Sequence, residues 1–257
     1  MNILGIIPAR YASTRFPAKA LADIDGKSMV QRVYEQARKA ASLREVVVAT
    51  DHEAIYRHVE SFGGRVVMTS PDHPSGTDRC FEAVQKTNLD YDFVINIQGD
   101  EPLVDPKLID RLARELQRDR KLEMITAAHP FTDIAEAASP HQVKVVLGLN
   151  KNALYFSRAA IPFIRDTVET ATYLRHQGIY GYTRDLLLRF VRWKPSPLER
   201  AESLEQLRAL ENGVTIRVVV TSGGSPGVDT PEDAAAVERQ LVLRRRAAVP
   251  RKRSDAQ

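Results

Sequence analysis

Three cations crowd the start of the chain, in GIIPARYASTRFPAKA, residues 5–20. Arg10, Arg15 and Lys19 are separated by small and hydroxyl residues, and they follow an apolar run, residues 3–7, that Pro8 ends. A buried strand that empties into a cationic, hydroxyl-rich loop suits a polyphosphate, because loop amides and guanidinium forks both favour phosphate oxygens. The stretch reads as a nucleotide-triphosphate loop. It is not a Walker loop: the sequence contains neither GxxxxGK[ST] nor GxGxxG. Two carboxylates far away in the chain suit the same phosphates. Asp100 stands in QGDEP at the end of a strand read over 93–97, and Asp229 stands in GVDTPED just before a helix start. A divalent cation shared with a triphosphate requires such a pair.

The elements that must position these groups alternate in type. After the loop, DIDG signals a turn, and Ser28 caps a helix whose Met29, Val30, Val33, Tyr34 and Ala37 share one face. A buried strand, 45–50, ends in ATDH; a helix over 53–62 closes at Gly63 and Gly64, and 66–68 forms a third strand. This βαβαβ order predicts a doubly wound, mostly parallel α/β sheet, whose ligands sit beyond the carboxyl ends of its strands. The loop TSPDHPSGTDR leads into a helix over 78–86. In it Ser75, Gly76 and Thr77 offer amides and hydroxyls to a base or phosphate, Asp78 offers a cap, and His73 is left out of the site.

From 124 to 183 the character changes. Short β-forming segments, 124–130, 143–147, 153–156 and 178–182, predict an antiparallel excursion that carries Arg158, Arg175, His176, Tyr180 and Tyr182. His176, at a strand entry beside Arg175, becomes a candidate for an acidic substrate. Helices are expected over 184–191 and around Leu198, the second with Glu199, Glu202 and Glu211 toward water. After a last strand, 215–221, Thr230 as cap, Pro231 at the first helical position and Asp233 three residues past the cap start a terminal helix.

The chain of 257 residues, 43% hydrophobic and 27% charged, has the profile of a soluble globular protein with a sizeable core. The divisions read from it are a nucleotide-binding α/β core (1–123 and 184–243), an inserted β segment (124–183) and a basic, poorly ordered tail (244–257). Cys80 is the only cysteine, which excludes an intrachain disulfide. The N-terminal apolar run is too short for a membrane span and no cation precedes it, so it reads as a strand and not as a signal peptide. The net charge is +4, but six cations against Asp255 alone lie within 244–257, so that stretch carries +5 and the remainder −1. With no aromatic residue among them to stack on bases, these charges predict neither a nucleic-acid partner nor a membrane surface.

In order along the chain, IPARYASTRFPAKAL, VATDHE, SGTDR, VINIQGDEP, VKVV, ALYFSRAAIP, RHQGIYGY, PSPLERAESLEQLR and GVDTPED resemble the CMP-Kdo synthetases, the 3-deoxy-manno-octulosonate (Kdo) cytidylyltransferases. The resemblance spans residues 3 to about 240. It departs from the family at Ala18, where Gly is general, at Ala20, where Pro is usual, and at Asp78, where Glu is common. It implies a nucleotide-diphospho-sugar transferase-like fold and a cytoplasmic homodimer with the inserted segment near the subunit contact. It implies transfer from CTP to Kdo with magnesium, for lipopolysaccharide synthesis. Residue by residue, it implies that Ala9, Arg10, Ser13, Thr14, Arg15 and Lys19 hold the triphosphate, with Ser75 and Gly76 at the cytosine. Asp100 and Asp229 would bind one or two magnesium ions, with Lys19 catalytic beside them. Gln98, Arg158, His176, Tyr182, Glu205 and Gln206 would line the Kdo pocket, with Arg158 or His176 at the sugar carboxylate. Another sugar acid, sialic acid or 8-amino-Kdo, and a non-catalytic nucleotide-binding regulator stay open as alternatives.

Overall fold

The structure, a computed structural model, describes residues 1–12, 16–165 and 172–248. The strands are β1 (Ile3–Ala9), β2 (Asp23–Ile24), β3 (Lys27–Ser28), β4 (Glu45–Thr50), β5 (Val66–Met68), β6 (Phe93–Asn96), β7 (Met124–Pro130), β8 (Lys144–Leu147), β9 (Ala153–Ser157), β10 (Leu174–Thr183) and β11 (Ile216–Val220). The helices are α1 (Met29–Ala37), α2 (Glu53–Ser61), α3 (Gly76–Thr87), α4 (Pro106–Arg118), α5 (Arg184–Phe190), α6 (Pro197–Glu202), α7 (Gln206–Glu211) and α8 (Pro231–Ala248).

The main sheet has the order β11-β7-β10-β6-β1-β4-β5. Within that order every pairing is parallel except the two made by β10, which runs antiparallel to β6 and β7. Helices cover both faces, which explains why β1 reads as an unbroken apolar run instead of alternating. Ile3 and Ile7 pack in the layer with α1 and α4, while Leu4 and Ile6 pack in the layer with α3 and α5. The strands crossing β1 through β6 thus deliver their carboxyl ends, and the loops that follow, to one edge.

The predicted antiparallel excursion is woven into this sheet instead of standing beside it. β7 and β10 lie between β11 and β6, and only β8 and β9 leave the main order, pairing with β10 and with each other. Of the stretch expected as a tail, 244–248 belong to α8, which continues to Ala248, and 249–257 lie outside the described residues.

Helix starts follow cap chemistry. The Ser28 hydroxyl accepts the Gln31 N–H at 3.2 Å, as expected. At α3 the cap is Ser75 and not Asp78: the Ser75 hydroxyl accepts the Asp78 N–H at 3.1 Å, so the helix begins two residues earlier. The single helix expected around Leu198 is broken in two. Ser203 takes φ 51° in the left-handed region, and the chain restarts as α7 in a new direction. Glu199 and Glu202 do not face water there. Glu199 binds the Arg208 guanidinium and the Ser196 N–H; Glu202 accepts from the Ser157 hydroxyl and the Arg158 N–H, at 2.6 and 2.9 Å.

Candidate active site

A cavity of about 400 Å³ opens where β1 and β6 end. Seven residues singled out in the sequence line it: Ala9 at the end of β1 and Arg10 after it, Lys19 on a short 3-10 turn, Gly76 at the start of α3, Gln98 and Asp100 after β6, and Asp229 ahead of α8. Ser13, Thr14 and Arg15 lie outside the described residues.

Backbone geometry brings these groups together. A Cβ on Gly99 would fall 2.5 Å from the Pro8 carbonyl oxygen, so only glycine lets the turn carrying Asp100 close against the end of β1. The Val228 N–H donates to the Asp100 carbonyl at 2.9 Å, stitching the two carboxylate-bearing loops to each other. The Asp233 carboxylate accepts the Asp229 and Thr230 N–H groups, both at 2.9 Å, and the Thr230 hydroxyl accepts the Asp233 N–H at 3.3 Å. This capping box is the one expected at the terminal helix, and it fixes Asp229 at the loop-to-helix junction.

At the centre, the Lys19 ammonium donates to Asp100 at 2.8 Å and to Asp229 at 3.1 Å. Burial alone would lower the Lys19 pKa, but Asp100 and then Asp229 outweigh it and hold it above its usual value. Lys19 is therefore fully charged at neutral pH. Ala18, just before it, has φ 51° and ψ 32°. That left-handed conformation costs an L-residue about 1 kcal/mol and is one that glycine adopts freely. Arg10 donates to the His73 carbonyl at 2.9 Å, and the His73 ring bonds Glu82. His73, left out of the site on sequence grounds, thus orients Arg10 through its backbone.

The residues expected in a sugar pocket separate into two groups. Gln98 faces the cavity, and its amide donates to the Gly178 carbonyl at 2.7 Å. Glu205 accepts the Thr77 hydroxyl at 2.8 Å, and burial raises its pKa against the hydrogen bonds from Ser75 and Thr77. Tyr182 is 2% exposed, packed between Tyr180 and Phe190. Four buried side-chain atoms near this wall have no hydrogen-bond partner among the described residues: Asn96 Oδ1, the Tyr180 hydroxyl, Glu205 Oε1 and Gln206 Nε2. Asn96 packs beside Gly76, where a Cβ would lie 3.9 Å from its amide nitrogen, but none of the four residues lines the cavity, and neither does Tyr182. Tyr180 was not singled out for the site. Its signal is the spacing Tyr180, Tyr182, which puts both rings on the face of β10 that carries His176.

His176 and Arg158 differ from expectation. The His176 ring meets the Thr126 hydroxyl at 3.0 Å, lies edge-on to Phe156, and is pushed by burial to a pKa of about 3. It is neutral at physiological pH and cannot meet a carboxylate as a cation. Arg158 spends its guanidinium on the carbonyls of Glu202, Pro140 and Ser203, at 2.6, 3.0 and 3.2 Å. It holds the break between α6 and α7 and is not free for a ligand. A larger cavity, about 670 Å³, lies beyond Asp100 along Glu101, His129 and Arg175 and contains none of the residues chosen from the sequence. Glu101 there is pushed up to about 8, by burial first and by Asp100 second.

A cytidylyltransferase family model matches residues 4–216. A 3-deoxy-manno-octulosonate cytidylyltransferase of Cytophaga hutchinsonii is 48% identical over 91% of this chain and 95% of its own length. An 8-amino-3,8-dideoxy-manno-octulosonate cytidylyltransferase of Shewanella pealeana is 49% identical over 95% of this chain and all of its own. Among solved structures, a CMP:2-keto-3-deoxy-manno-octonic acid synthetase complexed with CTP superimposes with a TM-score of 0.91 at 43% identity, covering 95% of this chain and 100% of that one. Matched along nearly its whole length in sequence and in fold, the chain belongs to the cytidylyltransferase family, among the CMP-Kdo synthetases.

Proposed function

We infer that the protein joins the CMP moiety of CTP to Kdo, releasing diphosphate, and that it does so with magnesium, as a homodimer, in the cytoplasm. The observation that carries the chemistry is the Lys19 ammonium held between Asp100 and Asp229 in the cavity that Arg10 and Gln98 also line. Cations and carboxylates at the ends of parallel strands are the equipment of phosphoryl-type transfer. That reaction calls for alignment and charge neutralisation, with no protein nucleophile.

In the reaction the anomeric hydroxyl oxygen of the sugar attacks the α-phosphorus of CTP. The new P–O bond forms as the bond to the bridging oxygen breaks, the hydroxyl proton passes to solvent, and diphosphate departs. Arg10 and Lys19 neutralise the triphosphate, Lys19 at the charge that builds during transfer. Ser75 and Gly76 face the cytosine. Asp100 and Asp229 fit a magnesium ion, being two carboxylates converged on one point with the triphosphate to complete the ligands. That ion, when bound, supplies charge neutralisation to the phosphates and to the sugar hydroxyl. On the sugar side, Gln98 lines the cavity, and behind it Asn96, Tyr180, Glu205 and Gln206 each carry one buried polar atom without a partner among the described residues, groups of the kind a polyhydroxylated acid would engage. The larger cavity, with Arg175, extends the room available beyond Asp100.

For the dimer, the supporting features are the exposed apolar side chains Leu149, Leu154 and Phe163 on and beside the β8–β9 hairpin, where a second copy would cover them. A sedimentation experiment on the parent and on Leu154→Asp tests it: a monomeric parent refutes the homodimer. Diphosphate release from CTP with magnesium, measured with Kdo, 8-amino-Kdo and sialic acid in parallel, tests the substrate. Preference for Kdo supports this reading, preference for 8-amino-Kdo moves the protein to the Shewanella-like activity, and no release with any of the three overturns it.

A further inference from the structure

The triphosphate loop has an anchor outside the site. Arg79, in the first turn of α3, is completely buried, and its guanidinium donates to Asp51 at 2.8 Å and to the Thr69 hydroxyl at 2.6 Å. The second oxygen of the Asp51 carboxylate accepts the backbone N–H of Tyr11 at 3.2 Å. One ion pair therefore ties together three segments: the end of β4 through Asp51, the cytosine-facing start of α3 through Arg79, and the triphosphate loop through the residue that follows Arg10. Neither Asp51 nor Arg79 lines the cavity. A buried pair of this kind adds little net stability over an apolar pair of similar size, so stability alone is a weak account of it. Its geometry is directional: the carboxylate bridges a buried guanidinium and a loop amide that has no partner in any strand. The Tyr11 ring adds a stack on His52, centroids 3.7 Å apart.

We propose that Asp51 and Arg79 are positioning residues for CTP, which set the path of the triphosphate loop through the Tyr11 amide and align it with the base-binding end of α3. The inference rests on the loop's holding CTP.

Two substitutions at half-exposed Tyr11 separate the amide from the ring. Tyr11→Ala removes the ring and keeps the N–H; Tyr11→Pro removes both. Binding of CTP to the full chain is titrated for each, together with KM for CTP, KM for Kdo and kcat. Tyr11→Ala is expected within about twofold of the parent, and Tyr11→Pro to bind CTP about tenfold more weakly, the scale of one lost hydrogen bond to a charged group. The Kdo KM stays unchanged, and the melting temperature of Tyr11→Pro stays within about 3 °C of the parent. In an Asp51→Asn background, which takes the charge from the bridge, Tyr11→Pro has a smaller effect than in the parent. Equal CTP affinity in Tyr11→Pro and Tyr11→Ala overturns the proposal, as does full additivity with Asp51→Asn. If Lys19→Ala binds CTP as the parent does, the loop reading fails and takes this inference with it; if Lys19→Ala binds weakly while the two Tyr11 variants agree, only the positioning role fails.

Discussion

Replacing Lys19 by methionine removes the ammonium at the centre of the site and keeps most of the aliphatic stem. Two effects separate in magnitude. Lys19 makes two charge-assisted bonds, at 2.8 and 3.1 Å, to carboxylates whose side chains are 32% and 47% exposed. At that exposure solvent screens each contact to about 1 kcal/mol or less. The loss also leaves two carboxylates facing one another. The fold therefore loses about 1–2 kcal/mol, a fall in melting temperature of about 3–6 °C for a chain of this size. Turnover loses more. If Lys19 neutralises charge that develops on the phosphate, kcat falls at least about 100-fold, close to 2.7 kcal/mol of transition-state stabilisation. Diphosphate release at saturating CTP and Kdo measures kcat, and a thermal melt measures the fold. A kcat within threefold of the parent, with the melting temperature lowered as stated, would show that Lys19 is only a tie between two loops.

Other substitutions test single features. Ala18→Gly relieves a residue at φ 51° and raises stability by about 0.5–1 kcal/mol in a denaturant titration; a destabilised variant contradicts the backbone reading. His176 has its folded pKa depressed to about 3, so the unfolded chain binds the proton first. Stability is therefore lost as pH falls below the unfolded value of about 6.5, by about 2 kcal/mol between pH 7 and 5 from this group alone. His176→Gln flattens that pH dependence, and an unchanged slope refutes the neutral-histidine assignment. Arg158→Ala lowers the melting temperature and leaves the KM for Kdo within about twofold, because its guanidinium caps carbonyls of 140, 202 and 203; a large KM effect alone restores it to the sugar pocket.

Much of this site was legible because its residues stand where strands stop. The apolar run of β1 predicted a strand buried on both faces, and Pro8 marked its end; Arg10, Lys19, Asp100 and Asp229 then fell into one cavity. Cap chemistry was legible at Ser28 and at Thr230 with Asp233, since those contacts are local. Long-range pairing was not. Nothing local tells β10 that it inserts between β6 and β7, because its Gly and Tyr residues suit an edge as well as a centre. The turn at Ser203, a left-handed residue inside a helical pattern, escaped for a related reason: Arg158, 45 residues earlier in the chain, satisfies the Ser203 carbonyl. Asp51 and Arg79 were visible in ATDH and SGTDR as polar groups, but their pairing with each other and with Tyr11 exists only in three dimensions.

The central proposal is that Asp100 and Lys19 work together on the α-phosphate of CTP while Kdo attacks it. The direct measurement is CMP-Kdo formation from CTP, Kdo and magnesium by the parent and by Asp100→Asn, each first shown to be folded by its thermal melt. Asp100→Asn keeps the shape of the side chain and removes the charge. The expected result is a parent that turns over and a folded variant without measurable turnover; near-parental CMP-Kdo formation by Asp100→Asn refutes the role given to that carboxylate.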